Sequence, residues 1–143
     1  MITTNNITKK YGDFTAIDNL SFNVNEGEIL CLLGANGAGK STIINILLNF
    51  TLSTSGIAEI NKLDVIKNPI KTKEFLTYIP ENLMLYPTLS AVENLDYFTK
   101  LSGKKFDQQQ LQNYLSEAGL EKAAHNNRVN TFSKGMRQKV GIA

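Results

Sequence analysis

The sequence predicts an α/β fold that gives way near residue 82 to a helical part. Three observations carry this reading. Apolar residues alternate or nearly so over Ile2–Thr8 and Leu20–Val24, become continuous over Ile29–Leu33, and are followed by a glycine-rich loop that leads into a helix with one apolar stripe. At 143 residues the chain has room for one ordinary domain. A hydrophobic content of 42% argues for a packed core and against disorder. One cysteine excludes an internal disulfide framework and any multi-cysteine zinc site. Fifteen basic and thirteen acidic residues leave a net charge of +2, too balanced to suggest a nucleic-acid surface. The longest apolar runs fall far short of a membrane span, and the opening residues carry no apolar core of the kind a signal peptide needs. A soluble, cytosolic domain is therefore expected.

Element by element, Ile2 to Thr8 and then Leu20, Phe22 and Val24 place apolar side chains at or near every second position. That period suits antiparallel strands with one solvated face. Glu26-Gly27 predicts a turn. In Glu28–Leu33 the unbroken apolar run Ile29–Leu33 suits a strand covered on both faces, as in a parallel sheet, with Cys31 as a small core residue inside it. After the loop, Ile43, Ile44, Leu47 and Leu48 form the stripe of a helix beginning at Lys40. Strand, glycine loop and helix in that order open a βαβ unit. Gly56–Ile60 and Phe75–Ile79 are predicted strands, the second stopped by Pro80. Asn61-Lys62 is read as a turn; Asn61-Lys-Leu-Asp64 spells a guanine-reading motif, but it follows Lys40 too soon for that role.

Beyond residue 82 the signals are helical. Ser90-Ala-Val-Glu93 is a capping box, and apolar positions 91, 92, 95 and 98 continue its helix to about Leu101. A second helix is predicted from Asp107 to about Ala118, closed by Gly119. Ser133 reads as a further N-cap, and nothing at Ala143 resembles a C-cap, so the sequence is expected to be truncated inside a helix. The expected organisation is an α/β core over 1–81, a helical subdomain over 82–133 and the start of a further helix over 134–143. His125, beside Asn126-Asn127, is expected at the surface.

The segment Gly34-Ala-Asn-Gly-Ala-Gly-Lys-Ser41 matches G-x-x-x-x-G-K-[ST] in full, between a predicted strand and a helix start. Glycines let successive backbone amides curl round an anion, and the positive end of the helix points at the same place. Lys40 would reach the outer phosphates and the Ser41 hydroxyl would hold magnesium. This predicts a P-loop core that binds a nucleoside triphosphate with Mg2+.

In order along its length, the chain resembles the ATP-binding cassette (ABC) family. Tyr11-Gly12, Ala16 and Leu20-Ser-Phe-Asn-Val24 look like that family's opening hairpin, with Tyr11 at the position whose aromatic ring stacks on adenine. Gly34 to Thr42 is similar to its phosphate loop, with Asn36, Gly37, Ala38, Gly39, Lys40, Ser41 and Thr42 at nucleotide-binding positions. Thr77-Tyr-Ile-Pro-Glu81 resembles the segment ending in the family's glutamine loop, with Glu81 where glutamine is usual. The resemblance gives Glu81 a place near magnesium and the attacking water, and a carboxylate oxygen suits a hard cation. Phe132-Ser-Lys-Gly-Met136 stands where the signature L-S-G-G-Q belongs. There Ser133, Lys134 and Gly135 would face the ATP bound by a second nucleotide-binding subunit. The Ser-Lys-Gly-Met variant is similar to an exporter branch of the family.

The resemblance implies an ATPase subunit held at the cytoplasmic face of a membrane by a permease, with ATP and Mg2+ as cofactors. The Walker B strand, catalytic glutamate and switch histidine would all lie downstream of residue 143. The alternatives are a soluble ABC ATPase acting on ribosomes and a truncated product that binds nucleotide without turnover.

Overall fold

The computed structural model describes all residues, Met1 to Ala143, as two compact units, Met1–Thr77 and Tyr78–Ala143. The division falls a few residues ahead of the boundary at residue 81 that the sequence suggests.

In the first unit, β1 (Ile2–Tyr11) and β2 (Phe14–Val24) form the expected hairpin, turned at Gly12 with a φ of +58°. β3 (Ser55–Ile60) pairs with the other edge of β1, and β4 (Leu63–Asp64) with β3, giving the order β2-β1-β3-β4 with every pair antiparallel. Asn61 and Lys62 join β3 to β4 at φ of 50° and 64°, the left-handed pair that tight hairpins require. They are a turn, as read from the sequence.

Helix α1 (Lys40–Leu47) lies on this sheet through Ile43 and Ile46, which meet Ile7, Ile17, Ala58, Ile60 and Val65 in the core. Ile44 faces solvent, so the buried face is rotated from the expected stripe towards Ile46. A short helix α2 (Pro69–Lys73) follows, with proline in its first turn.

The antiparallel part of the expected sheet forms and the parallel part does not. Glu28–Leu33 forms no strand, and Ile29 and Leu33 are 92% and 91% exposed. Cys31 is exposed as well, not the core residue expected. Phe75–Ile79 likewise forms no strand. A continuously apolar strand is stable when flanked on both sides, and within residues 1–143 the four strands pair only among themselves.

In the second unit, α3 (Ala91–Leu101), α4 (Gln108–Glu117) and α5 (Lys134–Ile142) enclose a core of Val92, Leu95, Leu111, Leu115, Leu120, Val129, Phe132 and Val140. The predicted capping box at Ser90 is present. The Ser90 hydroxyl accepts from the Glu93 amide at 3.2 Å, and the Glu93 carboxylate accepts from the Ser90 amide at 2.7 Å. Asp107 and Gln110 repeat the box on α4, and Gly119, at φ +80°, closes that helix. His125 corrects the sequence reading: it is 2% exposed, and its Nε2 donates to the Leu120 carbonyl at 3.0 Å. The 3-10 turn Lys122–Ala124 carries the ring inward while Asn126 and Asn127 stay outside.

Candidate functional site

The phosphate-loop sequence forms an open, uncapped helix start. Gly37 and Gly39 both take left-handed backbone, φ +86° and +85°. At Gly39 a Cβ would stand 2.5 Å from the Ala16 carbonyl oxygen and 3.2 Å from Ile17, so only glycine lets the loop press against β2 there. Ala16 is itself the extra residue of a bulge, between the pairs Lys9↔Ile17 and Lys10↔Thr15. This contact ties the end of the loop to the strand whose hairpin carries Tyr11.

Gly39 is the N-cap of α1, no side chain caps the helix, and its first turn holds no acidic residue. The leading amides of a helix have no partner inside it, so those at this start are donors available to an anion. The Lys40 ammonium folds back over the loop, donating to the carbonyls of Gly34 at 2.7 Å and Ala35 at 2.8 Å. No carboxylate neutralises it, and those two neutral acceptors can be exchanged for phosphate oxygens. Asn36 forms a turn with Gly37 and is exposed. The Ser41 side chain is exposed and makes no hydrogen bond within the chain, which leaves its oxygen available to a hard cation. No group of three or more His, Cys, Asp or Glu side chains is placed to hold a metal. Magnesium commonly keeps few protein ligands and takes the rest from phosphates and water, so a single hydroxyl beside a phosphate cradle fits it.

Tyr11 ends β1 with half its surface exposed, and the Lys9 ammonium lies 4.7 Å from its ring centroid. Sequence reading missed Lys9, although residues two apart on a strand share a face.

In the second unit, Glu81 and Lys134 form an ion pair at 3.0 Å, with side chains 81% and 60% exposed. These are two of the positions at which the sequence departs from the ABC pattern, and the departures are opposite charges in contact. Ser133 caps α5, its hydroxyl accepting from the Met136 amide at 3.2 Å. Gly135 stands in the first turn, and a Cβ there would meet nothing closer than the Ser133 hydroxyl at 4.0 Å. Asn94 was also missed. It is fully buried on α3, accepts from the Tyr86 amide at 2.7 Å, and donates to the carbonyls of Tyr86, Leu89 and Ser90. An asparagine among the apolar positions of a helix was the available signal, and its work is to fix the loop from Tyr86 to Ser90. A hollow of about 310 Å³ is lined by Pro80, Leu83, Met84, Leu95, Phe98 and Gly141, with Met84 89% exposed at its side.

Residues 17–143 match the ABC transporter family. The chain is 34% identical over 144 residues to the linearmycin resistance ATP-binding protein LnrL of Bacillus subtilis, covering 99% of this chain and 46% of that one. It is 33% identical over 138 residues to a probable multidrug ABC transporter ATP-binding protein of Escherichia coli, covering 96% of this chain and 24% of that protein. Among solved structures, a dimeric ATP-binding cassette in a post-hydrolysis state with ADP and phosphate superposes with a TM-score of 0.77. That likeness has 26% identity and covers 99% of this chain and 67% of the cassette. The chain thus spans about half or less of the length of these curated relatives. No helix is long and apolar enough to cross a membrane.

Proposed function

This chain belongs to the ABC transporter family, and on that footing we propose that it is the ATP-binding part of a nucleotide-binding subunit that couples ATP to transport across a membrane. The observation that carries the reading is the helix start at Gly39: uncapped amides, no acid in the first turn, and a lysine ammonium held only by neutral carbonyls. Lys40 exchanges those carbonyls for the outer phosphate oxygens. Loop amides from Gly34 to Thr42, including those of Asn36, Gly37 and Ala38, enclose the inner phosphates, and Tyr11 stacks on adenine. The Ser41 hydroxyl holds Mg2+, which when bound neutralises charge on the phosphates.

The second unit supplies the groups that meet other subunits. Ser133, Lys134 and Gly135 face the ATP of a second nucleotide-binding subunit. Glu81 is the candidate second oxygen ligand for Mg2+; only its Oε1 is engaged by Lys134. The apolar hollow beside Met84 is a suitable seat for a permease segment, which would hold the subunit at the cytoplasmic face. Binding is assigned to this stretch, and turnover to the whole cassette.

Replacing Lys40 tests the reading. Lys40→Ala removes a charge-assisted contact to phosphate, about twice as strong as a neutral hydrogen bond. ATP affinity should fall at least about tenfold, about 1.4 kcal/mol. An unchanged titration with a fluorescent ATP analogue would remove the assignment.

A further inference from the structure

Two aromatic rings stand at the tip of the β1–β2 hairpin. Tyr11 and Phe14 are cross-strand partners, 50% and 61% exposed. They differ in what lies against them. The Lys9 ammonium sits over the Tyr11 ring, 4.7 Å from its centroid, and the same nitrogen donates to the Leu52 carbonyl at 2.8 Å. No cation covers Phe14. The Leu52 carbonyl belongs to the segment after α1, so the ammonium is fixed by backbone on one side and rests on the ring on the other. A tyrosine at the end of a strand, half-exposed and without such a contact, would sample several rotamers.

We propose that Lys9 is the positioning residue for base recognition. It holds one face of Tyr11 by a cation–π contact, so that the opposite face is presented to a purine. The proposal rests on the reading of Tyr11 as the adenine-stacking residue. Lys9 touches neither the base nor the phosphates in this scheme; it acts through the ring. It follows that removing its charge weakens ligands that carry a base and spares those that do not.

Calorimetric titration of ATP and of inorganic triphosphate, at one magnesium concentration, separates the cases. In Lys9→Met, ATP should weaken by about two- to fivefold, the size of an exposed cation–π contact, while triphosphate binds as in the parent chain. Lys9→Arg should restore ATP binding. Tyr11→Ala should weaken ATP by about five- to thirtyfold, as loss of base stacking does, again sparing triphosphate. If Tyr11→Ala weakens ATP and Lys9→Met does not, Lys9 has no positioning role while the stacking assignment stands. If Lys9→Met weakens both ligands equally, its charge acts on phosphate and the proposal is overturned. If Tyr11→Ala leaves ATP unchanged, the stacking assignment itself falls. Should Lys9→Met fail to fold, Lys9→Gln keeps a donor for Leu52 without the charge and gives the same comparison.

Discussion

Ile29–Leu33 and Ile43–Leu48 are two apolar segments of nearly the same composition on either side of one glycine loop, and they have opposite fates. Ile43 and Ile46 are 2% and 1% exposed, whereas Ile29 and Leu33 lie almost wholly in solvent. The helix can satisfy its backbone by itself and needs only a sheet face to bury one stripe. A continuously apolar strand needs a neighbouring strand to satisfy its backbone and also cover on both faces. A run of apolar residues therefore states a demand for burial, and whether the demand is met depends on residues elsewhere.

The largest effect that can break this comparison is on stability. Ile46→Ala should destabilise the first unit by about 2–5 kcal/mol, through lost transfer and a cavity beneath the helix. Leu33→Ala, at a site in solvent, should change it by less than about 0.5 kcal/mol. Urea unfolding of both variants reads the difference. Equal losses would mean that Leu33 is buried and the segment a strand after all.

The same distinction explains what was legible in the sequence. The β1–β2 hairpin, the turn at Asn61-Lys62, the capping box at Ser90, the helix start at Asp107 and the N-cap at Ser133 all draw their partners from within a few residues or from the adjacent strand. Each formed where its pattern lies. The helix start at Gly39 was legible for the same reason, since glycine, lysine and serine stand at fixed offsets around it. Contacts between residues far apart in sequence left no mark: Lys134 on Glu81 and the Gly39 backbone on Ala16. Periodicity was silent even on the rotation of α1, because Ile44 and Ile46 are equally apolar and only the sheet chooses between them.

Gly39 offers a sharper test, since there a local motif depends on a distant contact. Gly39→Ala sets a Cβ 2.5 Å from the Ala16 oxygen on a left-handed backbone. The expected cost is about 1–3 kcal/mol, measured by thermal or urea unfolding, with weaker ATP binding as the loop moves off β2. Gly37→Ala shares the positive φ but meets nothing within 4 Å. It should cost less, about 1 kcal/mol from backbone strain alone. If the two substitutions cost the same, the approach to Ala16 has no part in holding the loop.

The smallest effect belongs to the element most fully satisfied by its own neighbours. The backbone amide of Ser90 holds the Glu93 carboxyl below its ordinary value, with help from the Ser90 side chain and the charge of Arg128. A depressed carboxyl pKa stabilises the folded state at pH values above the ordinary glutamate range, about 4.3. That contribution is lost as pH falls through the folded value. Glu93→Gln keeps a neutral oxygen for the Ser90 amide and removes the titration. The unfolding free energy of the parent chain relative to Glu93→Gln should therefore be constant near neutrality and shrink as pH drops through the carboxylate range. A difference that grew on acidification would have the wrong sign for a capping carboxylate. One that stayed constant throughout would mean that Glu93 leaves Ser90 in solution, and that even this box, written within four residues, needs more than its own sequence to close.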